Sequence, residues 1–474
     1  MSTDFKPTAS PSNFADLKLS SETLNVLKEL SYHQPTPIQK QSIPPLLAGR
    51  DVVGEARTGS GKTLAFTLPI LEKIRLSGRQ LQALVLCPTR ELSTQVAREI
   101  RKLGRRLPGL QVAMLSGGQP ARSQLPSLEN GVHIVVGTPG RVLDHMRRGS
   151  LNVRTLRCIV LDEADRMLDM GFEDQMDEIF AAIPTNRQTV FFSATFPPTI
   201  AAMSKARQQN PVRIRVADEA QVEAAPQVKQ ELVEIAPGRK WQALQKILRV
   251  EQPQSAIVFC NQKITAAEIA ENLRSDGLSA DALHGDLMQA DRDRVLAKFR
   301  NQSIRILVAT DVAARGIDVA DLDLVVNFDL PLKPETYVHR IGRTGRAGKS
   351  GRAISLVQSQ EMHKVEAIEG LTGQRVARIK LDQSEAKAVV VPAAQASMVT
   401  LYISGGRKTK MRPGDILGAL TGESGGLSGN SVGKIEIHDF FSYVAVDKSV
   451  AEMALESLRQ GTIKGRKFMV EVVR

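Results

Sequence analysis

Between residues 51 and 216 short apolar runs alternate with stretches of helical period. The runs are D-V-V-G-E-A (51–56), A-L-V-L-C-P-T (83–89), I-V-V-G-T-P (134–139), C-I-V-L-D-E-A-D (158–165) and T-V-F-F-S-A-T (189–195). Unbroken β-branched runs separated by helices predict parallel strands buried on both faces, and hence a doubly wound α/β domain. The stretch A-D-E-A-Q-V-E-A-A-P-Q (217–227) has neither aromatics nor a regular period and predicts a linker. The same grammar then resumes in S-A-I-V-F-C (255–260), R-I-L-V-A-T (305–310), L-V-V-N-F-D-L-P (324–331) and G-R-A-I-S-L-V (351–357), with helical segments around Trp241–Arg249 and Thr265–Ser275.

Residues 382–397 again have linker composition, and the pattern beyond them changes. Strands over Val399–Ser404, Gly433–His438, Ser442–Asp447 and Phe468–Val473, with helices near Pro413–Thr421 and Val450–Leu458, predict a β-α-β-β-α-β module. The expected organisation is an N-terminal tail (1–12), an α/β domain (13–216), a linker (217–227), a second α/β domain (228–381), a linker (382–397) and a small ferredoxin-like or RNA-recognition-like α+β domain (398–474).

A length of 474 residues suits about three domains. With 42% hydrophobic, 24% charged and only 4% aromatic residues, the chain has the composition of folded soluble domains. No run approaches a membrane span and the polar start lacks a signal-peptide core, so a cytoplasmic protein is expected. Cys87, Cys158 and Cys260 each border an apolar run, as buried reduced thiols do, and the seven histidines show no paired ligand spacing. No structural metal is expected. The net charge of +12 is spread along the chain, since residues 398–474 hold 11 basic against 8 acidic side chains. Such a distribution fits a long polyanion track or simply a solvated basic surface.

Three motifs carry chemistry. A-R-T-G-S-G-K-T (56–63) follows a strand and opens a helix, the context in which Thr58, Gly59, Ser60 and Gly61 can wrap phosphates. Lys62 can then neutralise the outer phosphates and Thr63 can hold Mg²⁺. Ala56 replaces the first glycine of the generic pattern. D-E-A-D (162–165) ends a strand, where Asp162 can reach the same Mg²⁺ and Glu163 can polarise the attacking water. In H-R-I-G-R-T-G-R-A-G (339–348), arginines at every third position suggest that Arg343 and Arg346 project from one side of a helical turn. Arginines offered to a γ-phosphate are worth ~10³ to 10⁵ in rate; a surface arginine patch is the alternative.

Together with P-T-P-I-Q (35–39), P-T-R-E-L (88–92), Gly117-Gly118, T-P-G-R (138–141), S-A-T (193–195), Gln289 to Arg292 and A-T-D-V-A-A-R-G-I-D (309–318), these motifs make residues 12–375 resemble the DEAD-box RNA helicases. The resemblance implies two tandem RecA-like domains and an enzyme that couples ATP hydrolysis to local strand separation. It also implies roles position by position. Gln39 reads adenine, Phe14 stacks on the base and Asp318 contacts the ribose. Asp165, Ser193, Thr195 and His339 couple hydrolysis to strand separation. Arg90, Gly118, Thr138, Arg141, Gly285, Arg292 and Thr310 contact the RNA backbone. Ser31-Tyr32 stands where the family usually has Gly-Phe, and Ser93 replaces a common alanine.

Backbone contacts make such a core tolerant of sequence, so target choice falls to the C-terminal module. There, alternation puts Tyr402 on the outer sheet face, and Phe441 and Tyr443 share one face. That is the base-stacking face of an RNA-recognition module, unless it serves a dimer contact or a second small core. Asp439 stands where that module usually has a basic residue. Arg407, Lys408, Lys410 and Arg412, with Lys464, Arg466 and Lys467, offer a second RNA surface or a solvated loop. The tail resembles that of the DbpA family, which implies a large-subunit ribosomal RNA hairpin with flanking duplex as target and pre-ribosomal particles as partners. Membranes and DNA are not expected partners. The alternatives are an ATP-gated RNA clamp or a general RNA chaperone without ribosomal specificity.

Overall fold

The computed structural model describes residues 11–56, 59–118, 120–216, 228–314, 322–345, 351–380, 395–422 and 425–473. The expected linker at 217–227 and most of that at 382–397 lie outside the described residues, as do Thr58, Asp318 and Arg346.

The first sheet holds β1 (Val52–Glu55), β2 (Ala83–Leu86), β3 (Val112–Leu115), β4 (Ile134–Gly137), β5 (Cys158–Asp162), β6 (Gln188–Ser193) and β7 (Val212–Arg215). Its order is β3-β4-β2-β5-β6-β1-β7, and every neighbouring pair is parallel. Alternate residues feed two cores, Val52, Val85, Val136 and Val160 on one face and Val53, Leu84, Val135 and Ile159 on the other. This two-sided burial is why the strands read as unbroken apolar runs.

The second sheet repeats the plan with β8 (Val228–Glu234), β9 (Ala256–Cys260), β10 (Ala280–Leu283), β11 (Ile306–Thr310), β12 (Leu324–Asn327), β13 (Gly351–Val357) and β14 (Ala377–Ile379). The order β10-β11-β9-β12-β13-β8-β14 is again parallel throughout. Both are RecA-like sheets. The third sheet, β15 (Met398–Ile403), β16 (Val432–Ile437), β17 (Ser442–Asp447) and β18 (Val470–Val472), is antiparallel in the order β16-β17-β15-β18. The helices Pro413–Thr421 and Ala451–Gln460 cover one of its faces, with Leu401, Ile403, Val444 and Val446 in the core between. The described residues form two compact units, one built on the first sheet and the other on the second and third together.

Cys87, Cys158 and Cys260 are free; Cys87 and Cys260 are buried. Burial pushes the Cys158 thiol up to about 12, so it stays protonated at neutral pH. No helix among the described residues is long and apolar enough to cross a membrane.

One unusual position has a clear local cause. The helix Ser21–Glu29 ends in paired bonds, Tyr32 N–H to Leu27 C=O at 2.9 Å and Ser31 N–H to Lys28 C=O at 3.0 Å, which force Ser31 to φ 59. Glycine takes that left-handed conformation without strain, and a side chain does not. Replacing Ser31 by glycine is therefore expected to stabilise the first unit by about 0.5–1 kcal/mol, raising its melting temperature by about 1–4 °C in a thermal denaturation scan. Tyr32 keeps the next position filled: its hydroxyl donates to Glu99 Oε1 at 2.9 Å and Lys102 sits 5.4 Å above its ring.

Candidate nucleotide and RNA sites

In a parallel α/β sheet ligands gather at the carboxyl ends of the strands, and the first sheet places its motifs there. The phosphate loop leaves β1, D-E-A-D leaves β5 and S-A-T leaves β6, and β5, β6 and β1 are consecutive in the sheet. Gly59 and Gly61 adopt φ 85 and 92, and the helix Lys62–Lys73 starts directly behind them, so its first amide groups face the loop. The loop is held from outside. Thr36 Oγ1 donates to Ser60 C=O at 2.8 Å and Gln39 Nε2 to Gly61 C=O at 3.0 Å. A Cβ on Gly61 would come within 2.3 Å of Gln39 Nε2. Gln39 Oε1 accepts from Thr36 N–H at 2.9 Å, which leaves one amide hydrogen and one lone pair for a purine edge. Phe14 is buried in the core below, only 4% exposed, so its ring is already largely covered where the sequence reading had it stacking on the base.

Lys62 is buried and its ammonium donates to Ala56 C=O at 2.9 Å. The Asp162 carboxyl is 3% exposed and its Oδ1 has no hydrogen-bond partner. Burial, opposed by the Lys62 charge, pushes this carboxyl up to about 7. An orphaned buried carboxylate oxygen beside a phosphate loop is a donor awaiting a cation, and with the Thr63 hydroxyl it makes an all-oxygen set that fits Mg²⁺. Glu163 has φ 56 and ψ 53 at the start of the helix Ala164–Asp169, a conformation costing about 1–2 kcal/mol for a residue with a side chain. The next carboxylate is tied to β6: Asp165 Oδ2 accepts from Thr195 N–H at 3.1 Å and from its hydroxyl at 2.9 Å, while Asp165 N–H donates to Ser193 Oγ at 3.3 Å.

The other half of the same sheet edge gathers the residues expected to meet RNA. Strands β3, β4 and β2 are consecutive, and Gly118, Thr138 and Arg90 follow their carboxyl ends. Arg90 opens the helix Arg90–Leu103 and donates to Gly117 C=O at 3.4 Å; Thr138 caps the helix Pro139–Arg147, whose first turn carries Arg141. Sequence reasoning missed Gln124. Its Oε1 takes the Arg141 guanidinium at 3.2 Å and lies 3.0 Å from His145 Nε2, and its amide donates to Ser116 C=O at 3.0 Å. No motif flags a glutamine whose partners are a strand-end carbonyl and two side chains of the helix Pro139–Arg147.

In the second unit Gly285 follows β10 and Thr310 ends the adjacent strand β11. Arg292 bridges them, donating to His284 C=O and Ala313 C=O, each at 3.4 Å. The arginine motif divides in a way its spacing did not foretell. The helix Pro334–Ile341 stops at Gly342, so Arg343 lies in the turn beyond it and not on the helix. The turn is fixed because Arg343 C=O accepts from Leu322 N–H at 3.2 Å. Arg340 is a buried scaffold: 1% exposed, it grips both Asp311 oxygens at 2.7 Å, Asn261 Oδ1 at 3.0 Å and Asn327 Oδ1 at 3.2 Å, with Phe259 5.0 Å beneath it. His339 Nδ1, by contrast, is buried without a partner.

In the C-terminal domain the two basic segments converge, Lys464 Nζ donating to Lys410 C=O at 3.4 Å. Arg407, Lys408, Lys410, Arg412, Lys464, Arg466 and Lys467 are all exposed. Asp439 pairs with Arg407 at 2.9 Å and so removes one charge from the patch. Tyr402, Phe441 and Tyr443 do cluster, with ring centroids 5.2–6.0 Å apart. Tyr443, expected to stack on a base, is 3% exposed, its ring covered by the chain itself, while Tyr402 and Phe441 remain partly exposed.

Residues 36–203 match the DEAD/DEAH box helicase family, residues 239–348 the helicase conserved C-terminal domain and residues 400–472 the DbpA RNA binding domain. Over 452 residues the chain is 47% identical to the ATP-dependent RNA helicase DbpA of Escherichia coli (strain K12), spanning 95% of this chain and 97% of that one. The chain belongs to the DEAD-box ATP-dependent RNA helicases. Another member, the helicase CshA of Geobacillus kaustophilus, is 42% identical over 330 residues, 70% of each chain. Among solved structures, S. cerevisiae Dbp5 bound to RNA and ADP BeF3 aligns with a TM-score of 0.72 at 32% identity, covering 79% of this chain and 97% of its own. This DEAD-box helicase is thus an RNA-dependent ATPase carrying a DbpA-type RNA-binding domain. Its departures from the family are absorbed locally. Ser31 takes up a glycine's conformation, and the buried Ser93 hydroxyl donates to Thr89 C=O at 2.8 Å.

Proposed function

We propose that this helicase opens short duplexes in large-subunit ribosomal RNA during ribosome assembly in the cytoplasm, brought there by its C-terminal domain. ATP bound on the phosphate loop, with Phe14, Gln39, Thr58 and Asp318 around its nucleoside, draws the two RecA-like units together on an RNA strand. Thr63 and Asp162 would hold Mg²⁺, which supplies neutralising charge to the phosphates. Glu163 takes the proton of the attacking water, Arg343 and Arg346 meet the charge that develops on the γ-phosphate, and Lys62 fixes the outer phosphates. Asp165, Ser193, Thr195 and His339 report the state of the nucleotide to the RNA track of Arg90, Gly118, Thr138, Arg141, Gly285, Arg292 and Thr310. RNA contacts through the backbone open only a few base pairs, and with stacking of about 1.4 kcal/mol per step that suffices only for short helices.

The observation that carries the reading is the division of one sheet edge: hydrolytic groups on β5, β6 and β1, helix N-termini and arginines on β2, β4 and β3. A nucleotide and a polyanionic strand bound side by side share that edge. The ribosomal target rests on the DbpA RNA binding domain at 400–472 and on the exposed patch formed by 407–412 and 464–467. Deleting residues 398–474 should leave ATP hydrolysis with unstructured RNA intact and abolish preference for large-subunit ribosomal fragments. A panel of RNA fragments in an ATPase assay checks this; equal stimulation by all of them before deletion contradicts it. A labelled strand released on ATP addition separates the helicase from a clamp that grips without opening.

A further inference from the structure

The C-terminal domain does not hang free of the second RecA-like sheet; one helix joins them. The helix Gln289–Arg300 begins at the expected RNA track with Arg292 and ends at Arg300. Arg300 forms a two-pronged pair with Glu436 of β16, Nε to Oε1 at 2.9 Å and Nη2 to Oε2 at 2.8 Å. The Glu436 side chain is only 4% exposed, and Lys434 adds a contact at 3.2 Å. Just beyond the helix, Asn301 Nδ2 donates to Thr400 Oγ1 at 3.2 Å and the Ser303 and Thr400 hydroxyls lie 2.6 Å apart, with Thr400 fully buried on β15.

All the tail residues in this contact share one sheet face. Cross-strand register sets Glu436 beside Tyr443 and Tyr443 beside Tyr402. The face that an RNA-recognition module uses for stacking is here applied to the protein's own helix. A buried two-pronged arginine–carboxylate pair with flanking hydroxyl bonds specifies geometry more than it adds strength. Arg292 and Arg300 are about 12 Å apart along a single rigid helix, so RNA held by the exposed patch of the docked tail stands at a set distance from RNA held by the core.

We propose that Arg300 and Glu436, with Asn301, Ser303 and Thr400, are positioning residues that fix this distance, so the enzyme opens duplexes only at one spacing from the element its tail grips. The inference rests on the reading that the tail selects structured RNA. It is tested on the full chain with a large-subunit ribosomal hairpin joined to a labelled duplex through single-stranded spacers of graded length. Strand release by the unaltered chain should peak at one spacer length, falling about tenfold away from it. The change R300E sets two carboxylates face to face and should flatten the profile to within about twofold, as expected for a module on a flexible tether. Hairpin affinity and hydrolysis with unstructured RNA should stay as they were. Adding S303C and T400C to that variant and oxidising them should restore the peak, and reduction should remove it again.

A flat profile for the unaltered chain that still prefers hairpin-bearing substrates overturns the inference alone. So does a sharp peak that survives R300E. If the hairpin gives no advantage at any spacing, the tail-targeting reading itself fails and the inference falls with it.

Discussion

Replacing Glu163 by glutamine is expected to leave ATP and RNA bound while turnover falls by about 10²- to 10⁴-fold, the usual contribution of a positioned general base. Glutamine keeps the shape and pays the same backbone strain at φ 56, so the fold should not change. What disappears is the oxygen able to take a proton from water. The neighbouring Asp162 carboxyl is raised first by burial and further by the Glu163 charge, so losing that charge makes Asp162 easier to ionise. Cation and nucleotide binding should hold or tighten. Steady-state hydrolysis, measured beside nucleotide-dependent RNA binding, checks both halves; near-normal turnover would remove Glu163 from the base role.

Arg343→Ala should lower hydrolysis by ~10³ or more with RNA affinity in the absence of nucleotide unaltered, as expected of an arginine proposed to meet charge that exists only in the transition state. Lysine at this position should recover little, since an ammonium cannot reproduce the planar fork. The prediction is specific because Arg343 is the described arginine of its motif outside the buried scaffold. Its backbone is pinned to Leu322, whereas Arg340 is locked into Asp311, Asn261 and Asn327. Single-turnover hydrolysis is the measurement; a variant that matches the unaltered chain would show that Arg343 meets no transition-state charge.

Interior strands were legible in the sequence because both faces are buried, and a run such as Ile134–Gly137 has no polar face to interrupt it. The four edge strands of the two parallel sheets, β3, β7, β10 and β14, escaped notice. Arg213 and Arg215 in β7 and Arg378 in β14 face water and break the apolar run, and Asp281 interrupts β10; β3, Val112–Leu115, is apolar but only four residues long. Interior β8 was missed for a different reason: it buries Glu231, which Lys229 and Arg352 neutralise, so its sequence reads as polar. The nucleotide motifs were legible because phosphate and metal chemistry demand particular residues at particular strand ends. The arginine motif was only half legible. Spacing cannot say which member a carboxylate and two asparagines from distant strands will bury. Tyr443 was placed on the right face, but what covers that face comes from a helix some 150 residues earlier in the chain, and local pattern holds no trace of it.

Nucleotide and RNA are expected to be bound by one cooperative machine, and ATP hydrolysis by the purified chain with and without RNA tests this directly. Basal hydrolysis should be slow and should rise severalfold or more with RNA, most with a large-subunit ribosomal fragment. A rate that stays the same whether RNA is present or absent would contradict it.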